Sequence, residues 1–198
     1  MAVLAASVIK GRFLKGIDPS STTDDVAIEA TVDAADALIC ASLGLPENTS
    51  GVRTLAQSSY VVWLRSPRVN RRRLWLPVLG SGTIDSVKVE VGASTETIDA
   101  TYYEQRGRVL YRKVGLWPDE PGPILRLTLS SWGFASLDTT HPLGVAIGMM
   151  VAHLWNAPKT QGLASISAGG KSVGVRDGDA AIPPNVAKLI APYAVSVF

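Results

Sequence analysis

The stretch Ile124–Trp155, ILRLTLSSWGFASLDTTHPLGVAIGMMVAHLW, changes its periodicity once, and this change decides the fold class. In its first part, Leu125, Leu127 and Leu129 alternate with polar residues, which is typical of a half-buried strand. Its second part begins near Pro142 and is apolar around almost the whole helical circumference, which is the pattern of a buried helix. Strands and helices therefore occur in separate runs, and this order favours an α+β protein over alternating βαβ units.

Two further segments have helical patterns. Residues 20–44 predict a helix that is apolar and rich in alanine except for one narrow acidic stripe. The segment Pro183–Ile190 begins with two prolines and stops before another, which predicts a short C-terminal helix. The acidic stripe consists of Asp25, Glu29, Asp33 and Asp36.

The middle of the chain, residues 53–131, has the two-residue period of strands. Val87, Val89 and Val91 alternate with polar residues, and glycine- or proline-rich turns separate this run from its neighbours. We predict an α+β fold: a small, mostly α-helical bundle of two main helices plus a short C-terminal helix, with an inserted antiparallel β lobe and a long Gly/Ser loop. On this prediction, residues 1–198 form a single domain, with the β-rich lobe at 53–131, the extended loop at 159–182 and a C-terminal tail at 192–198.

Composition excludes several classes of protein. The chain has 198 residues, of which 46% are apolar and 18% are charged, and its formal net charge is +2. A single cysteine, Cys40, excludes an internal disulfide, and two histidines argue against a Cys/His zinc site. The longest apolar stretch, Leu143–Leu154, is too short to span a bilayer, and Ala2–Ile9 is followed by Lys10, against the order of a signal peptide. We expect a non-secreted protein with no metal, no cofactor and no membrane association.

Motifs for catalysis are incomplete. The triplet at Gly170–Ser172 resembles the end of a phosphate-binding loop, but Ser165 stands where that motif needs glycine, and no helical pattern follows. No Gly-x-Ser-x-Gly sequence occurs, and His141 and His153 lie beside or on the apolar helix. We therefore predict that the chain is not an enzyme. A hydrolase with an unrecognised triad at one of these histidines is kept as an alternative.

Basic residues are concentrated in one region. Between Asn48 and Ile84 there is no acidic residue, and six arginines occur. One interpretation is a solvated loop whose arginines cover Trp63 and Trp75. The others are contact with DNA phosphates, or with an acidic partner surface such as the acidic stripe of a neighbouring copy. The possible DNA or partner contacts are Arg65, Arg68, Arg71, Arg72 and Arg73.

The two long helices and the C-terminal tail carry more apolar surface than a chain of this length readily buries. A helix that is apolar all round is covered either by a large core or by a neighbouring chain. The tail after Pro192 is also apolar, and it either folds back onto the domain or docks on a partner, where an extended segment would suit strand addition.

Four segments follow one another along the chain: TTDDVAIEATVDAADALICASLG, ILRLTLSSWGF followed by HPLGVAIGMMVAHLW, GLASISAGGKSVGV, and IPPNVAKLIAPYAV. In this order they resemble the bacteriophage head–tail connector (adaptor) proteins, and the resemblance covers most of the chain. The β-rich middle, with LWLPVLGSGTIDSVKVEV and RVLYRKVGLWP, is similar to the longer members found in phage-like gene transfer agents. Two features depart from the family: Ser130–Gly133 replaces its usual Tyr-x-Ala-Gly, and the run Arg68–Arg73 has no counterpart.

The resemblance implies a structural virion protein of the neck, in a phage or a phage-like particle assembled in the host cytoplasm. Such a protein forms a twelve-fold ring of identical chains below the portal, extends the DNA channel and offers a platform to the stopper or tail-terminator protein. Contact with DNA in the channel would be transient and non-specific. The alternative function, drawn from the residues alone, is a basic, non-specific nucleic-acid-binding module that uses Arg65–Arg73.

The resemblance also implies roles for two segments. The loop at Gly162–Val175 would embrace the adjacent subunit, and the C-terminal end would engage the portal. The inter-subunit residues are Gly162, Leu163, Ser165, Ser167, Gly169, Gly170, Lys171 and Ser172. The portal-binding residues are Tyr193, Ala194, Val195, Ser196, Val197 and Phe198.

Overall fold

The computed structural model describes residues 4–65, 72–118, 124–156, 165–168, 171–174 and 182–194. The chain divides into two compact units. The first, which we call the helical unit, comprises Met1–Ile39 and Ser136–Pro192, and the second, the β unit, comprises Cys40–Ala135 and Tyr193–Phe198.

The described residues of the helical unit form four α-helices and one hairpin. The helices are α1 (Ala6–Arg12), α2 (Asp25–Ser42, whose last residues belong to the β unit), α3 (Pro142–Asn156) and α4 (Pro184–Ile190). Helix α3 packs against α4 and α1. Its buried residues are Leu143, Gly144, Ala146, Ile147, Gly148, Met150 and Val151. The strong apolar pattern of α3 therefore marks the helix that α1 and α4 cover.

Two glycines allow close packing around α3. A Cβ at Gly144 would lie 1.9 Å from the carbonyl oxygen of Asp138, and a Cβ at Gly148 would lie 2.3 Å from the ring of Phe13. Both distances are far below van der Waals contact, so the loop before α3 and the residue after α1 occupy the space that a side chain would need. Small residues at these two positions are a condition of the packing.

Helix α1 was not predicted from the sequence, and it brings a buried cation into the helical unit. Lys10 has a side chain that is only 1% exposed. Its ammonium donates hydrogen bonds to the carbonyl of Ser21 and to the carboxylate of Asp25, with which it forms an ion pair. This pairing attaches α1 to the start of α2, because a buried ammonium without an acceptor would be costly.

The β unit contains two antiparallel sheets. One has the strand order β1 (Ser58–Leu64), β7 (Ile124–Gly133), β3 (Ser81–Val91), β4 (Ser94–Ile98), and the other has the order β2 (Arg73–Trp75), β6 (Val109–Arg112), β5 (Tyr103–Arg106). Both sheets contribute to one apolar core, which includes the fully buried Trp117 and Trp132. Leu125, Leu127 and Leu129 of β7 are also fully buried, as their alternation predicts.

The aromatic–glycine pair at the end of β7 has a structural reason. Trp132 fills the core, and the next residue, Gly133, has a φ of 136°. A Cβ at Gly133 would lie 2.6 Å from the carbonyl oxygen of Ala56, and one at Gly80 would lie 2.3 Å from the carbonyl oxygen of Gly133. Three backbone segments therefore approach each other here, which only glycine permits.

Two predictions need correction. The chain is α+β, but the prediction of a small, mostly α-helical bundle is wrong, because the described chain has at least as many residues in strands as in helices. The apolar patterns of α2 and α3 dominate the sequence, whereas β2, β5 and β6 are three or four residues long and are too short to show a period. Part of the predicted extended loop at 159–182 is a hairpin formed by β8 (Ser165–Ala168) and β9 (Lys171–Gly174).

Candidate interaction surfaces

The described part of the chain offers no grouping of His, Cys, Asp and Glu suited to a metal ion. None of its helices is both long and apolar enough to cross a membrane. His141 lies at the start of α3, where its Nδ1 accepts a hydrogen bond from the backbone N–H of Leu143 at 3.2 Å. Lys171 and Ser172 lie on β9, so a strand and not a helix follows Gly170. His141 is thus a helix-start residue, and Lys171 and Ser172 are strand residues.

The loop before α3 is held by one carboxylate. Asp138 accepts hydrogen bonds from the hydroxyl and backbone N–H of Thr140, at 2.6 and 2.8 Å, and from the backbone N–H of His141 at 3.0 Å. These bonds, led by the Thr140 hydroxyl, hold the pKa of Asp138 below its ordinary value. The turn fixes the chain next to Gly144, where the two backbones touch.

One face of α2 is apolar and exposed. Val26 is 81% exposed, and Ala27, Ala30, Ala34 and Ala41 are exposed as well. Ala27, Ala30, Ala34 and Ala41 follow one another at spacings of three, four and seven residues, and Val26 lies one turn before Ala30. All five therefore lie on one side of the helix. We call this surface the alanine face.

The predicted acidic stripe of α2 is only partly exposed. Glu29 and Asp33 lie in solvent, but Asp25 pairs with Lys10 and Asp36 is 2% exposed. Asp36 follows the fully buried Ala35 and lies one helical turn from the fully buried Val32 and Cys40, so the stripe runs along the edge of the buried face. Of the four acids in the stripe, Glu29 and Asp33 are therefore the ones exposed for contact with a partner.

The three-stranded sheet carries a basic groove of about 480 Å³. Its residues come from β2, β5, β6 and the positions beside them, and five of the seven are cationic. We call it the arginine groove. It is lined by Arg72, Arg73, Glu104, Arg106, Tyr111, Arg112 and Lys113.

Tyr111 is the centre of the arginine groove. In the register of the sheet, Tyr111 on β6 lies between Arg73 on β2 and Glu104 on β5. The guanidinium carbons of Arg73 and Arg106 lie 5.3 and 5.0 Å from the centroid of its ring, within the range of a cation–π interaction. Arg106 also forms an ion pair with Glu104, which is the one acidic residue of the groove.

Arg112 supports the edge of the groove from the core side. Its guanidinium lies 5.2 Å from the ring of Trp117 and 5.7 Å from the ring of Tyr102. Its Nε donates a hydrogen bond to the carbonyl of Val114 at 2.9 Å. The backbone N–H of Arg112 donates to the carbonyl of Arg72, so this pairing extends the contact between β2 and β6 by one residue.

Two tryptophans are exposed on strands of the β unit. Trp75 is 67% exposed and lies two residues after Arg73, on the same face of the three-stranded sheet and opposite Val109. Trp63 on β1 is 53% exposed, and the guanidinium of Arg126 lies 5.3 Å from its ring. The arginine over Trp63 comes from β7 and not from the run between Asn48 and Ile84, and Trp75 presents most of its surface to solvent.

The predicted site residues have different outcomes. Arg72 and Arg73 lie in the arginine groove, Arg65 is exposed just after β1, and Arg68 and Arg71 lie outside the described residues. Tyr111 and four charged residues of the groove, three on β5 and β6 and one just after β6, were not predicted from the sequence. Their alternation in YEQR and VLYR is the signal that could have placed them on one hairpin.

The two segments to which the resemblance assigns roles are partly described. Ser165 and Ser167 lie on β8, while Lys171 and Ser172 lie on β9. Tyr193 ends a short 3-10 helix and is half-buried, and Ala194 is exposed. The remaining predicted residues lie outside the described ranges: Gly162, Leu163, Gly169, Gly170, Val195, Ser196, Val197 and Phe198.

The chain matches solved structures. No protein-family model and no curated protein sequence matches the chain. Among solved structures, the chain is similar to a chain in the neck of an empty gene transfer agent particle, computed with C6 symmetry. That match has a TM-score of 0.58 and 18% identity, and it covers 99% of this chain and 92% of the other.

Two further structures give the same result. One is the virion of a native gene transfer agent particle, with a TM-score of 0.59, 17% identity and coverage of 99% and 92%. The other is the neck of a native particle computed with C12 symmetry, with a TM-score of 0.55, 17% identity and coverage of 100% and 94%. The chain has the fold of a protein in these particles, so the resemblance found in the sequence is confirmed at the level of the fold.

Proposed function

We propose that the chain is a structural, non-enzymatic component of the neck of a phage-like particle. The observation that carries this proposal is the fold match, which extends over 99% of this chain and 92% of a chain in a neck structure. A match of that extent includes both the helical unit and the β unit. A fold alone does not specify a function, but the described part of the chain has no metal-binding cluster and no assembled catalytic motif to favour another class.

In this proposal, copies of the chain form a ring that extends the DNA channel between the portal and a stopper or tail-terminator protein. The alanine face supports the ring, because an exposed apolar helix face is stabilised when a second copy covers it. In this proposal the alanine face of one copy meets a different surface of the next copy, and such heterologous contacts close into rings when the rotation permits. The similar neck structures were computed with C6 and C12 symmetry, and a twelve-fold ring follows by analogy.

Two segments have proposed partners within this assembly. Residues 162–175, which include the β8–β9 hairpin, would contact the adjacent subunit, and residues 193–198 would contact the portal. The protein would be assembled in the host cytoplasm and retained in the neck of the finished particle.

The experiment is a mass measurement of the purified chain, alone and mixed with the portal protein of the same particle. We expect a ring either alone or on the portal. A chain that is monomeric in both samples overturns the proposal.

A substitution on the alanine face sharpens this test. Ala34→Arg places a long cation on that face and should abolish the ring while leaving the far-UV circular dichroism of the chain unchanged. Ala93→Arg, at an exposed turn between β3 and β4, adds the same charge away from the alanine face and should leave the ring intact. Equal loss in the two variants would contradict the assignment of this face to the interface.

A further inference from the structure

The arginine groove is not used by the ring that we propose. Its lining includes five cationic residues and the carboxylate of Glu104, and two of the cations, Arg73 and Arg106, lie against the ring of Tyr111. Like charges brought together on a surface repel one another, so such a cluster is more stable when an anion occupies it. Guanidinium groups match phosphate and carboxylate oxygens through paired N–H donors. The groove is therefore built for an anion.

Two of the cations are held in place without a ligand. The guanidinium carbons of Arg73 and Arg106 both lie within cation–π distance of the Tyr111 ring, so this ring keeps the two charges near each other. Each guanidinium carbon lies about 5 Å from the ring centroid, so the two are no more than about 10 Å apart.

Trp75 distinguishes between the possible anions. It lies on the same sheet face as Arg73 and exposes 67% of its surface. A ligand that uses both the cations and the exposed indole must carry negative charges and flat rings together. Nucleic acids have both, and proteins that bind single strands combine a basic groove with aromatic side chains on a sheet. The charged side chains of an acidic peptide could pair with the cations, but they have no flat ring that could stack on Trp75.

We infer that the arginine groove binds a strand of nucleic acid, whose phosphates contact Arg72, Arg73, Arg106 and Lys113 while a base stacks on Trp75. Binding is independent of sequence, because every contact is to a phosphate or to the flat face of a base. Four contacted phosphates make it moderate in strength and steeply dependent on salt. The inference does not depend on the ring, since the groove lies within one β unit.

The test measures binding of a fluorescent single-stranded DNA oligonucleotide of mixed sequence, and of the matching duplex, to the full-length chain over a series of salt concentrations. For the single strand, the logarithm of the association constant should fall with the logarithm of salt concentration with a slope of about −2.8, at about −0.7 per phosphate contacted. Arg73→Gln and Arg106→Gln should each make the slope shallower by about 0.7. Arg53→Gln removes the same charge from a residue that pairs with Glu47 outside the groove, and it should leave the slope unchanged.

Stacking is tested separately. Trp75→Ala should weaken binding of the single strand by about fivefold to a hundredfold, the range for losing one stacked base, and should weaken duplex binding much less. Trp63→Ala is the matched control, because it removes another exposed strand tryptophan away from the groove. Quenching of the intrinsic tryptophan fluorescence on addition of the oligonucleotide gives a readout that needs no variant.

Three results would overturn the inference. Absence of DNA binding at low salt would do so, as would a salt slope that neither arginine variant changes. A third is equal binding of labelled polyglutamate with no effect of Trp75→Ala, which would assign the groove to an acidic protein partner instead. None of these outcomes bears on the mass of the assembly, so failure here and failure of the proposed ring are distinguishable.

Discussion

Replacing Gly148 with alanine tests the packing of the helical unit at its closest contact. An ideal Cβ at this position of α3 would lie 2.3, 2.4 and 2.5 Å from three ring atoms of Phe13, against 3.4–4 Å for an ordinary contact. The ring must therefore move by about 1 Å, and adding volume to a packed site costs about 1–3 kcal/mol. Alanine recovers about 0.8–1.0 kcal/mol, because glycine is the poorer helix former. We expect a net loss of up to about 2 kcal/mol in the free energy of unfolding.

A double-mutant cycle separates the two effects. In a Phe13→Ala background the clash is gone, so Gly148→Ala should stabilise the protein by about 0.8–1.0 kcal/mol. The coupling between the two positions is then about 1–3 kcal/mol. The four proteins are compared by urea unfolding, followed by far-UV circular dichroism, at a low protein concentration.

The control for the cycle is Ala152→Gly in the same helix, at a half-buried position, which measures the local difference in helix propensity. If Gly148→Ala has the same effect in both backgrounds, the ring of Phe13 does not confine this position and the reasoning fails. Gly148→Leu, which adds three more carbon atoms than alanine, should lower stability further or prevent folding.

Three other changes test separate features. Asp25→Asn should lower the free energy of unfolding, measured in urea, by about 1–3 kcal/mol more than Lys10→Met does, because only Asp25→Asn leaves a buried ammonium without its carboxylate. A larger loss for Lys10→Met would contradict the pairing. The carboxylate of Asp138, whose pKa is lowered, stabilises the fold fully above the ordinary pKa of aspartate, and this contribution is lost as pH falls through the lowered pKa. Asp138→Ala should therefore lower the melting temperature at neutral pH and flatten its decline in acid, and an unchanged acid decline would refute this role. Deleting Tyr193–Phe198 should leave circular dichroism unchanged and abolish co-sedimentation with the portal, whereas loss of soluble protein would place the tail in the core.

Long elements with a clear period were predictable from local sequence. The proline at the start of α3 and the alternation of Leu125, Leu127 and Leu129 in β7 depend on the backbone geometry of a single segment. Helix α1 was not predicted, because it is only seven residues long and contains Lys10, a residue type that is normally exposed to solvent. Its burial depends on Asp25, fifteen residues away, and no local pattern carries that information.

The interaction surfaces were less predictable than the fold. The arginine run was identified by the absence of acids, but of the described arginines in that run only Arg72 and Arg73 lie in the groove. The groove exists because the three-stranded sheet places β2 beside β6, in a register that sets Arg73 opposite Tyr111. Strand order and register depend on packing against the core, so the sequence identified the charge and not the site.

The sequence by itself determined the identity of the long helices and strands, the lack of a disulfide and the resemblance to neck proteins, because each depends on residue types and their spacing along one segment. The balance between sheet and helix, the burial of Lys10 and Asp36, the glycine contacts around α3 and the arginine groove were decided by the tertiary structure. Each of these depends on residues that are far apart in the chain, and they come together only when the apolar faces of the sheets and helices are buried.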